Sequence, residues 1–274
     1  FVQLTTSSKL HNSALRSDCL FRRRRVRLEN MAYKTLDLAD VEYLRKAIPA
    51  LQKVIPWTVG WSCLYAVFRF GALRTRTAGF SNRVVSLLHA IIAIFMCTRC
   101  LPTWGALLEN VGGMNTMEHL ECMTLSLSYF VYDFLYCLLD NDVENVIHHL
   151  FTIGGLASGV ITGRSGPELV GCLFLMEVSN PSLHLRTLLR EMNMKDSVLA
   201  TLNDLTFALL FLFCRLIVGP PLVYKTVVNE SNTYIVKIGA LGILIVSLMW
   251  GWKIIMMIVR NVRKLFGGAK AKKA

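Results

Sequence analysis

Two adjacent histidines inside a long apolar run are the residues of this sequence best suited to chemistry. His148 and His149 lie in the apolar segment 146–162, and ionisable side chains are costly in a bilayer unless they are paired or functional. A histidine that titrates near neutral pH can accept and return a proton. Because neighbours on a helix lie about 100° apart, the two rings cannot face one point. We expect one ring to work while its neighbour orients it.

A second apolar run carries polar residues at helical spacing. Glu177, Asn180 and His184 stand at positions i, i+3 and i+7, which predicts one continuous face of a helix in segment 169–188. Pro181 frees the Glu177 carbonyl, so we expect a kink beside a cavity. We interpret the two runs as parts of one site. A packing kink beside a protonated Glu177 is the alternative.

Other polar residues at membrane depth are candidates for supporting roles. Thr152 lies one turn beyond the histidines and can bond a ring nitrogen or a backbone carbonyl. Asp204 and Arg215 cannot pair within their helix, since eleven residues rise about 16 Å, so each requires a partner elsewhere. Asp133 could meet Arg215 or a protonated histidine. A network that only fixes helix order would explain these charges as well as a catalytic site would.

Composition indicates an all-α, multispanning membrane protein. The chain has 274 residues, of which 54% are hydrophobic, and a mean hydropathy of +0.47, more than a soluble domain can bury. About seven transmembrane helices are predicted, because a crossing takes roughly 17–25 residues. The apolar runs of that length are 54–73, 84–104, 120–139, 146–162, 169–188, 198–218 and 235–259. Lys53, Pro56 and Arg69 weaken the first run, so six spans is the alternative.

Basic residues collect at the chain ends and between the apolar runs. The net charge is +12, and this distribution follows the positive-inside rule, so we expect lipid headgroups and not nucleic acid as the acidic partner. The same rule places the C-terminus in the cytosol. The ending Lys270-Ala271-Lys272-Lys273-Ala274 resembles an endoplasmic-reticulum retrieval signal. We predict an integral protein of the endoplasmic reticulum, with a basic lipid anchor as the alternative role of the tail.

The ends of the chain and its cysteines carry weaker signals. We interpret residues 1–53 as a basic N-terminal segment with a short amphipathic helix, 54–73 as the first transmembrane helix, and 265–274 as a basic cytosolic tail. Residues 1–30 are interpreted as a translated leader or disorder, with an organellar transit peptide as the alternative. The pair Cys97 and Cys100 lies inside an apolar helix, which favours packing over redox chemistry. Six dispersed histidines predict no metal cluster.

At these residues the chain resembles the TLC-domain family, the membrane lipid proteins that include the ceramide synthases. The resemblance covers approximately residues 82–264, which we interpret as a TLC-like domain. The matching pieces are Asn82-Arg83-Val84-Val85-Ser86 with His89-Ala90, the stretch from Tyr129 to Asp133, His148-His149 with Thr152, and the stretch from Leu175 to Pro181 followed by Arg186.

The resemblance implies a barrel of six membrane helices. In the ceramide synthases the histidine pair, matched here by His148 and His149, belongs to a site that N-acylates a long-chain base with acyl-CoA. The family's later L-H-D-x-S-D element differs in this chain, where Met176, Glu177 and Asn180 replace the histidine and both aspartates. The result is similar to the small TLC-domain relatives with an E-x-S-x-P pattern, which have been linked to lipid composition or lipid sensing.

Two functions follow from these residues. The first is a lipid-handling protein that binds or moves a membrane lipid and thereby affects lipid composition or homeostasis, without a cofactor. The alternative is a lipid acyltransferase with acyl-CoA as cosubstrate, in which His148 or His149 is the general base and Glu177 orients it. In that case Arg186 or Arg190 would lie near a cytosolic mouth. Membrane lipids are the expected partners in both cases.

Overall fold

The computed structural model describes residues 38–101 and 104–271 of the chain. The chain divides into two compact units, 1–43 and 44–274, and of the first unit only residues 38–43 are described. The predicted leader, the start of the predicted amphipathic helix and the last lysines of the tail lie outside the described residues.

Nearly all described residues are helical, which confirms the all-α class. One antiparallel bridge, between Met114 and Arg164, joins two of the connections. The helices in chain order are α1 Leu38–Ala66 with the π-helical segment Val67–Ala72, α2 Ala78–Cys100, the 3-10 turn Trp104–Leu108, α3 Met117–Leu139, α4 Val143–Thr162, α5 Gly166–Glu177, α6 Asn180–Glu191, α7 Val198–Phe211, the second π-helical segment Leu212–Val218, α8 Gly219–Val228 and α9 Tyr234–Ala271.

Within the described ranges, four helical stretches are long and apolar enough to cross a membrane: Ala78–Cys100, Met117–Leu139, Val198–Val228 and Tyr234–Arg260. They make this an integral membrane protein. Among the described residues, the helices that contain the predicted runs 54–73, 146–162 and 169–188 do not meet that combination of length and hydropathy. The count of seven spans and the six-helix barrel stay predictions.

The predicted division at residues 53 and 54, between an N-terminal segment and a first span, does not coincide with a break in the helix. Helix α1 runs from Leu38 to Ala66 although Pro49 and Pro56 lie inside it. Both prolines are exposed on the helix surface, and each lacks the N–H that would bond the carbonyl group four residues earlier.

The segment 169–188 is not the single kinked helix that the spacing of its polar residues predicts. Helix α5 ends at Glu177 and helix α6 begins at Asn180. Pro181 stands in the first turn of α6, where its missing N–H is harmless, whereas inside a longer helix its ring would clash with the preceding turn. Glu177 therefore ends one helix, whereas Asn180 and His184 stand one turn apart in the next, so the three residues do not share one continuous helical face.

A second pair of prolines changes the helix that carries Arg215. Pro220 and Pro221 cannot donate to the preceding turn, and the backbone before them widens to the π form, in which Gly219 N–H bonds the carbonyl of Cys214. Short π-helical segments are often found at functional sites. In this one, Arg215 is buried and only 3% exposed.

The helices pack in an order that surrounds the polar residues. Helix α2 contacts α3, α5 and α6; α3 contacts α4; α4 contacts α9; α9 contacts α8 and the second π segment; and α6 contacts α7. The largest apolar cluster lies where α2, α3 and α4 meet, around Leu120, Met123 and Val160. Many large apolar side chains, such as Phe95 and Ile217, are exposed on the outer surface, as expected where a protein faces lipid.

Close approach of α4 to its neighbours depends on Gly159. A Cβ atom there would collide with Leu169 and lie 3.3 Å from Met123 Sδ, whereas a Cβ at Gly154 on the same helix would meet only Ile235, at 3.8 Å. We predict that Gly159→Ala destabilises the protein by about 1–3 kcal/mol through overpacking. Gly154→Ala should be neutral or stabilising by up to about 1 kcal/mol.

The free energy of unfolding in detergent micelles tests this pair of substitutions. Both variants add one methyl group to the same helix, so Gly154→Ala controls for helix propensity. Equal stabilities for the two variants would contradict a close contact at Gly159.

Candidate functional site

Asp133 is the centre of a buried polar network between α2, α3 and α4. Its Oδ2 atom accepts hydrogen bonds from His149 Nε2 at 3.1 Å and from the Tyr129 hydroxyl at 3.1 Å. Its Oδ1 atom accepts a third from Asn82 Nδ2 at 3.0 Å, and the Tyr132 hydroxyl donates to Asn82 Oδ1 at 2.6 Å. Three donors offset the cost of burying this carboxylate. Asp133 thus contacts a histidine, one of the two partners considered for it.

The two histidines of the pair face different surroundings. His149 points at Asp133, and this contact favours the tautomer with hydrogen on Nε2. His148 packs its ring 5.2 Å from that of Trp250, measured between centroids, and lines a cavity. Its Nδ1 atom has no hydrogen-bond partner among the described residues. Thr152 donates to the His148 carbonyl at 2.9 Å, so it bonds the backbone and not a ring nitrogen.

Glu177 lies at the break between α5 and α6 and is 2% exposed. Asn180 Nδ2 donates to Glu177 Oε2 at 3.0 Å, which links the end of one helix to the start of the next. The same oxygen is 4.0 Å from His89 Nδ1. In this arrangement Asp133, and not Glu177, is the carboxylate that orients a histidine of the pair.

Arg215 caps the carboxyl end of α5 from the second π segment. Its Nη2 atom donates to the Met176 carbonyl at 2.6 Å and to Asn180 Oδ1 at 2.9 Å. The last carbonyls of a helix lack partners within it, and the helix dipole favours a cation there. The Phe211 ring centroid lies 4.8 Å from the guanidinium carbon, in cation–π geometry. Nε and Nη1 of Arg215 have no hydrogen-bond partner within the described ranges.

These contacts form one buried chain across six helical elements. His89 connects its two halves, because its ring stacks on Tyr129 at 3.7 Å with 7° between the planes while its Nδ1 approaches Glu177. The members, in order, are His149, Asp133, Tyr129, His89, Glu177, Asn180 and Arg215. The two apolar runs are thus joined through residues of α2 and α3.

Two predicted site residues have other surroundings. Asp204 lies 3.1 Å from Arg186 Nε and 3.9 Å from Arg190 Nη2, and its side chain is 36% exposed. These ion pairs join α7 to α6 at a partly exposed position. His184 is buried on α6, and its Nδ1 has no hydrogen-bond partner in the part of the chain that the structure describes. Pro181 affects the site indirectly, because it stands at the break between α5 and α6.

Sequence reasoning gave no site role to His89, Asn82 or Tyr129. His89 is fully buried, and neither ring nitrogen has a hydrogen-bond partner among the described residues. A signal was present, because Asn82 and His89 stand seven residues apart and so share one face of α2. Tyr129 and Asp133 are likewise four residues apart on α3.

A narrow, mostly apolar cavity lies between α4, α5, α8 and α9, and its water-accessible space is about 60 Å³. Its lining on α9 extends from Val236 to Ser247, a rise of about 16 Å, which is half of the ~30 Å hydrocarbon core of a bilayer. His148 and Arg215 also line it. The cavity is therefore long and slender and has few polar groups.

Different charged contacts lie near the two ends of the cavity. Glu168 lines one end, where both of its carboxylate oxygens lie 3.0 Å from the backbone nitrogen of Gly112. Near the other end, Glu144 accepts hydrogen bonds from Lys253 Nζ at 2.5 Å and Trp250 Nε1 at 3.0 Å. The bonds from Lys253 and Trp250 lower the pKa of Glu144. These bonds tie the start of α4 to α9.

Asp133, Cys137 and His149 could also be considered as metal ligands. One potential ligand atom from each lies within 4.8 Å of the others, and the ligand types suit zinc. A metal-bound histidine, however, usually donates its second N–H to an acceptor, and His149 Nδ1 has no partner among the described residues. The geometry favours the hydrogen-bonded pair of His149 and Asp133 over a metal site.

Comparison with known proteins identifies the family to which this chain is similar. A family model for the TLC domain matches residues 79–256. TLC domain-containing protein 4 A of Dictyostelium discoideum is 24% identical over 201 residues, which cover 68% of this chain and 76% of that protein. TLC domain-containing protein 1 of Gallus gallus is 30% identical over 171 residues, covering 59% and 65%. TLC domain-containing protein 2 of Danio rerio is 25% identical over 130 residues, covering 46% and 52%.

The chain thus spans about half to three quarters of the length of these relatives. The matched segment covers more than half of the sequence and contains every member of the buried chain, from His89 to Arg215. The resemblance found in the motifs is confirmed, and this chain belongs to the TLC-domain family.

Proposed function

We propose that this protein binds or moves a membrane lipid and thereby affects the lipid composition or homeostasis of its membrane. Membership of the TLC-domain family supports a lipid-related role in general. The observation that carries the specific proposal is the cavity, which is apolar along most of its length and has His148 and Arg215 in its wall. That distribution matches an amphiphile, whose polar head requires hydrogen-bond partners and whose chain requires none.

The dimensions of the cavity suit one acyl chain better than a whole bilayer lipid. Its depth of about 16 Å along α9 equals one leaflet of the hydrocarbon core. A phospholipid has two chains and a bulky headgroup, whereas the water-accessible space is only about 60 Å³. Membrane lipids are the proposed partners, and binding requires no cofactor.

The proposed location is the endoplasmic reticulum, with the C-terminus in the cytosol. The basic ends and loops support this orientation through the positive-inside rule. The start of α4, with the histidine pair, would then lie towards the cytosolic leaflet, on the side from which acyl-CoA would arrive.

The contact between His149 and Asp133 favours a second candidate function, lipid acyl transfer. A histidine whose Nε2 is held by a carboxylate is oriented, and its imidazolium form is stabilised. The lipid amine or hydroxyl would attack the thioester carbonyl of acyl-CoA, the carbon–sulfur bond would break, and the proton would pass through a histidine to the leaving thiolate. His148 lines the cavity and is the member of the pair placed to meet a substrate.

Filling the cavity tests lipid binding in cells. Ala240 lines the cavity, whereas Ile238, two residues earlier on α9, is 58% exposed on the outer surface. In cells that lack the endogenous protein, we predict that Ala240→Phe fails to restore the lipid profile, because the phenyl ring occupies the space of the chain. Ile238→Phe should restore it. The measurement is comparative lipidomics at equal expression.

Full rescue by Ala240→Phe would contradict a role for the cavity. The double variant His148→Ala/His149→Ala belongs in the same experiment. Its failure to rescue, beside rescue by Ile238→Phe, would indicate lipid handling or chemistry that depends on the histidines.

Asp133→Asn separates acyl transfer from binding. The substitution keeps the shape of the side chain but removes the charge that orients His149, so an acyltransferase should lose about 10²-fold or more in turnover. A lipid-binding protein should keep its lipid affinity within about threefold, because Asp133 does not line the cavity. Turnover of acyl-CoA with lipid acceptors, and lipid binding by the same purified preparation, are the two measurements. Unchanged turnover would exclude His149 as a carboxylate-assisted base.

A further inference from the structure

The guanidinium of Arg215 is only partly explained by its role at the end of α5. The contacts with Met176 and Asn180 both use Nη2, and Nε and Nη1 have no hydrogen-bond partner among the described residues. A cation at membrane depth with unpaired donors is costly and normally indicates a functional site. The π-helical segment places this cation inside the bundle, where the side chain lines the cavity.

The direct neighbours of Arg215 carry no formal charge. They are the Met176 carbonyl, the Asn180 amide, and the rings of Phe211 and Trp250. Glu177 acts on Arg215 electrostatically, but the two side chains form no ion pair within 4.0 Å in the described part of the chain. The Asn180 amide lies between them, accepting from Arg215 and donating to Glu177. An anion in the cavity would therefore be the first direct counter-ion of this guanidinium.

His148 provides a second group without a partner in the same wall. Its Nδ1 atom lacks a hydrogen-bond partner in the described part of the chain, and the residue is only 9% exposed. Trp250 lies near both groups, with its ring 5.2 Å from the His148 ring and 6.0 Å from the Arg215 guanidinium carbon. The two unsatisfied side chains thus border the same part of the cavity.

The rest of the lining limits what this anion can be. Beyond His148 and Arg215 the wall is formed largely by apolar side chains such as Phe151, Leu173 and Leu222. Thr152, Thr226 and Ser247 add hydroxyl groups and Glu168 adds a carboxylate, but Arg215 is the only Arg or Lys among the described lining residues, so a second phosphate charge would have no second cation there. A carboxylate brings one charge and two acceptor oxygens, which suits one guanidinium and one imidazole.

We propose that Arg215 is the headgroup anchor of a binding site for a long-chain carboxylate, with His148 as the second contact and one acyl chain along the cavity. This inference rests on the proposed lipid-binding function and specifies its ligand class. It also gives the second π segment a role, because the wider backbone there orients the Arg215 guanidinium towards the ligand.

Binding to the purified protein in detergent micelles tests the anchor. The probes are hexadecanoate, hexadecan-1-ol and hexadecyl phosphate, which share one chain and differ in the head. We expect hexadecanoate to bind about tenfold or more tightly than the alcohol, because only the carboxylate offers a charge to the guanidinium. Arg215→Gln should abolish this preference and leave alcohol binding unchanged. Arg186→Gln, which removes an arginine that does not line the cavity, should retain the preference.

Three results would overturn the anchor: equal affinity of the wild-type protein for carboxylate and alcohol, a preference that survives Arg215→Gln, or tighter binding of the phosphate. Alcohol binding reports whether Arg215→Gln is folded. If Arg215→Gln does not fold because α5 has lost its cap, two other results test the anchor: the preference of the wild-type protein for the carboxylate, and loss of hexadecanoate binding in Ala240→Phe but not in Ile238→Phe.

The anchor and the proposed function fail in different ways. If the protein binds hexadecanoate but its loss changes no cellular lipid, the carboxylate site is retained and the proposed function is wrong. If cellular lipids depend on the cavity but the protein shows no preference for a carboxylate, the proposed function is retained and the role of Arg215 as an anchor is wrong.

Discussion

The hydrogen bonds to Asp133 are the interaction on which the arrangement of the site depends. A bilayer offers no hydrogen-bond partners, so a carboxylate inside the bundle must obtain them from neighbouring helices. Asn82 of α2, Tyr129 of α3 itself and His149 of α4 supply them. This network holds three helices in one register and turns the His149 ring inward. It leaves His148, one residue earlier, to face the cavity.

Two irregular segments, each caused by proline, meet at the other half of the site. Pro181 stands in the first turn of α6, just after α5 has ended and left its last carbonyls, among them that of Met176, without partners inside the helix. The prolines after Arg215 widen the helix that carries the guanidinium. The cation then bonds the carbonyl at 2.6 Å. A helix end and a π segment that would each be unfavourable alone therefore stabilise each other. Because both of these bonds use Nη2, the other two guanidinium nitrogens of Arg215 can bind a ligand in the cavity.

Much of the candidate site could be predicted because polar residues are conspicuous within apolar runs. His148, His149, Glu177 and Arg215 were identifiable on that ground alone. Their partners were less predictable, since helical spacing relates residues within a helix and says little about contacts between helices. Asp204 forms a partly exposed ion pair with Arg186, although its position inside an apolar run had predicted a partner at membrane depth.

The sequence alone determined the all-α membrane class, the family and the polar residues that require partners, because composition and local spacing carry those signals. Only the tertiary structure decided that Asp133 holds His149, that His89 links Tyr129 to Glu177, and that His148 and Arg215 share a cavity wall. These contacts join residues that are distant in the chain. Their geometry follows from how α2 to α6 and α9 pack and from where prolines interrupt two helices, and neither can be read from one helix in isolation.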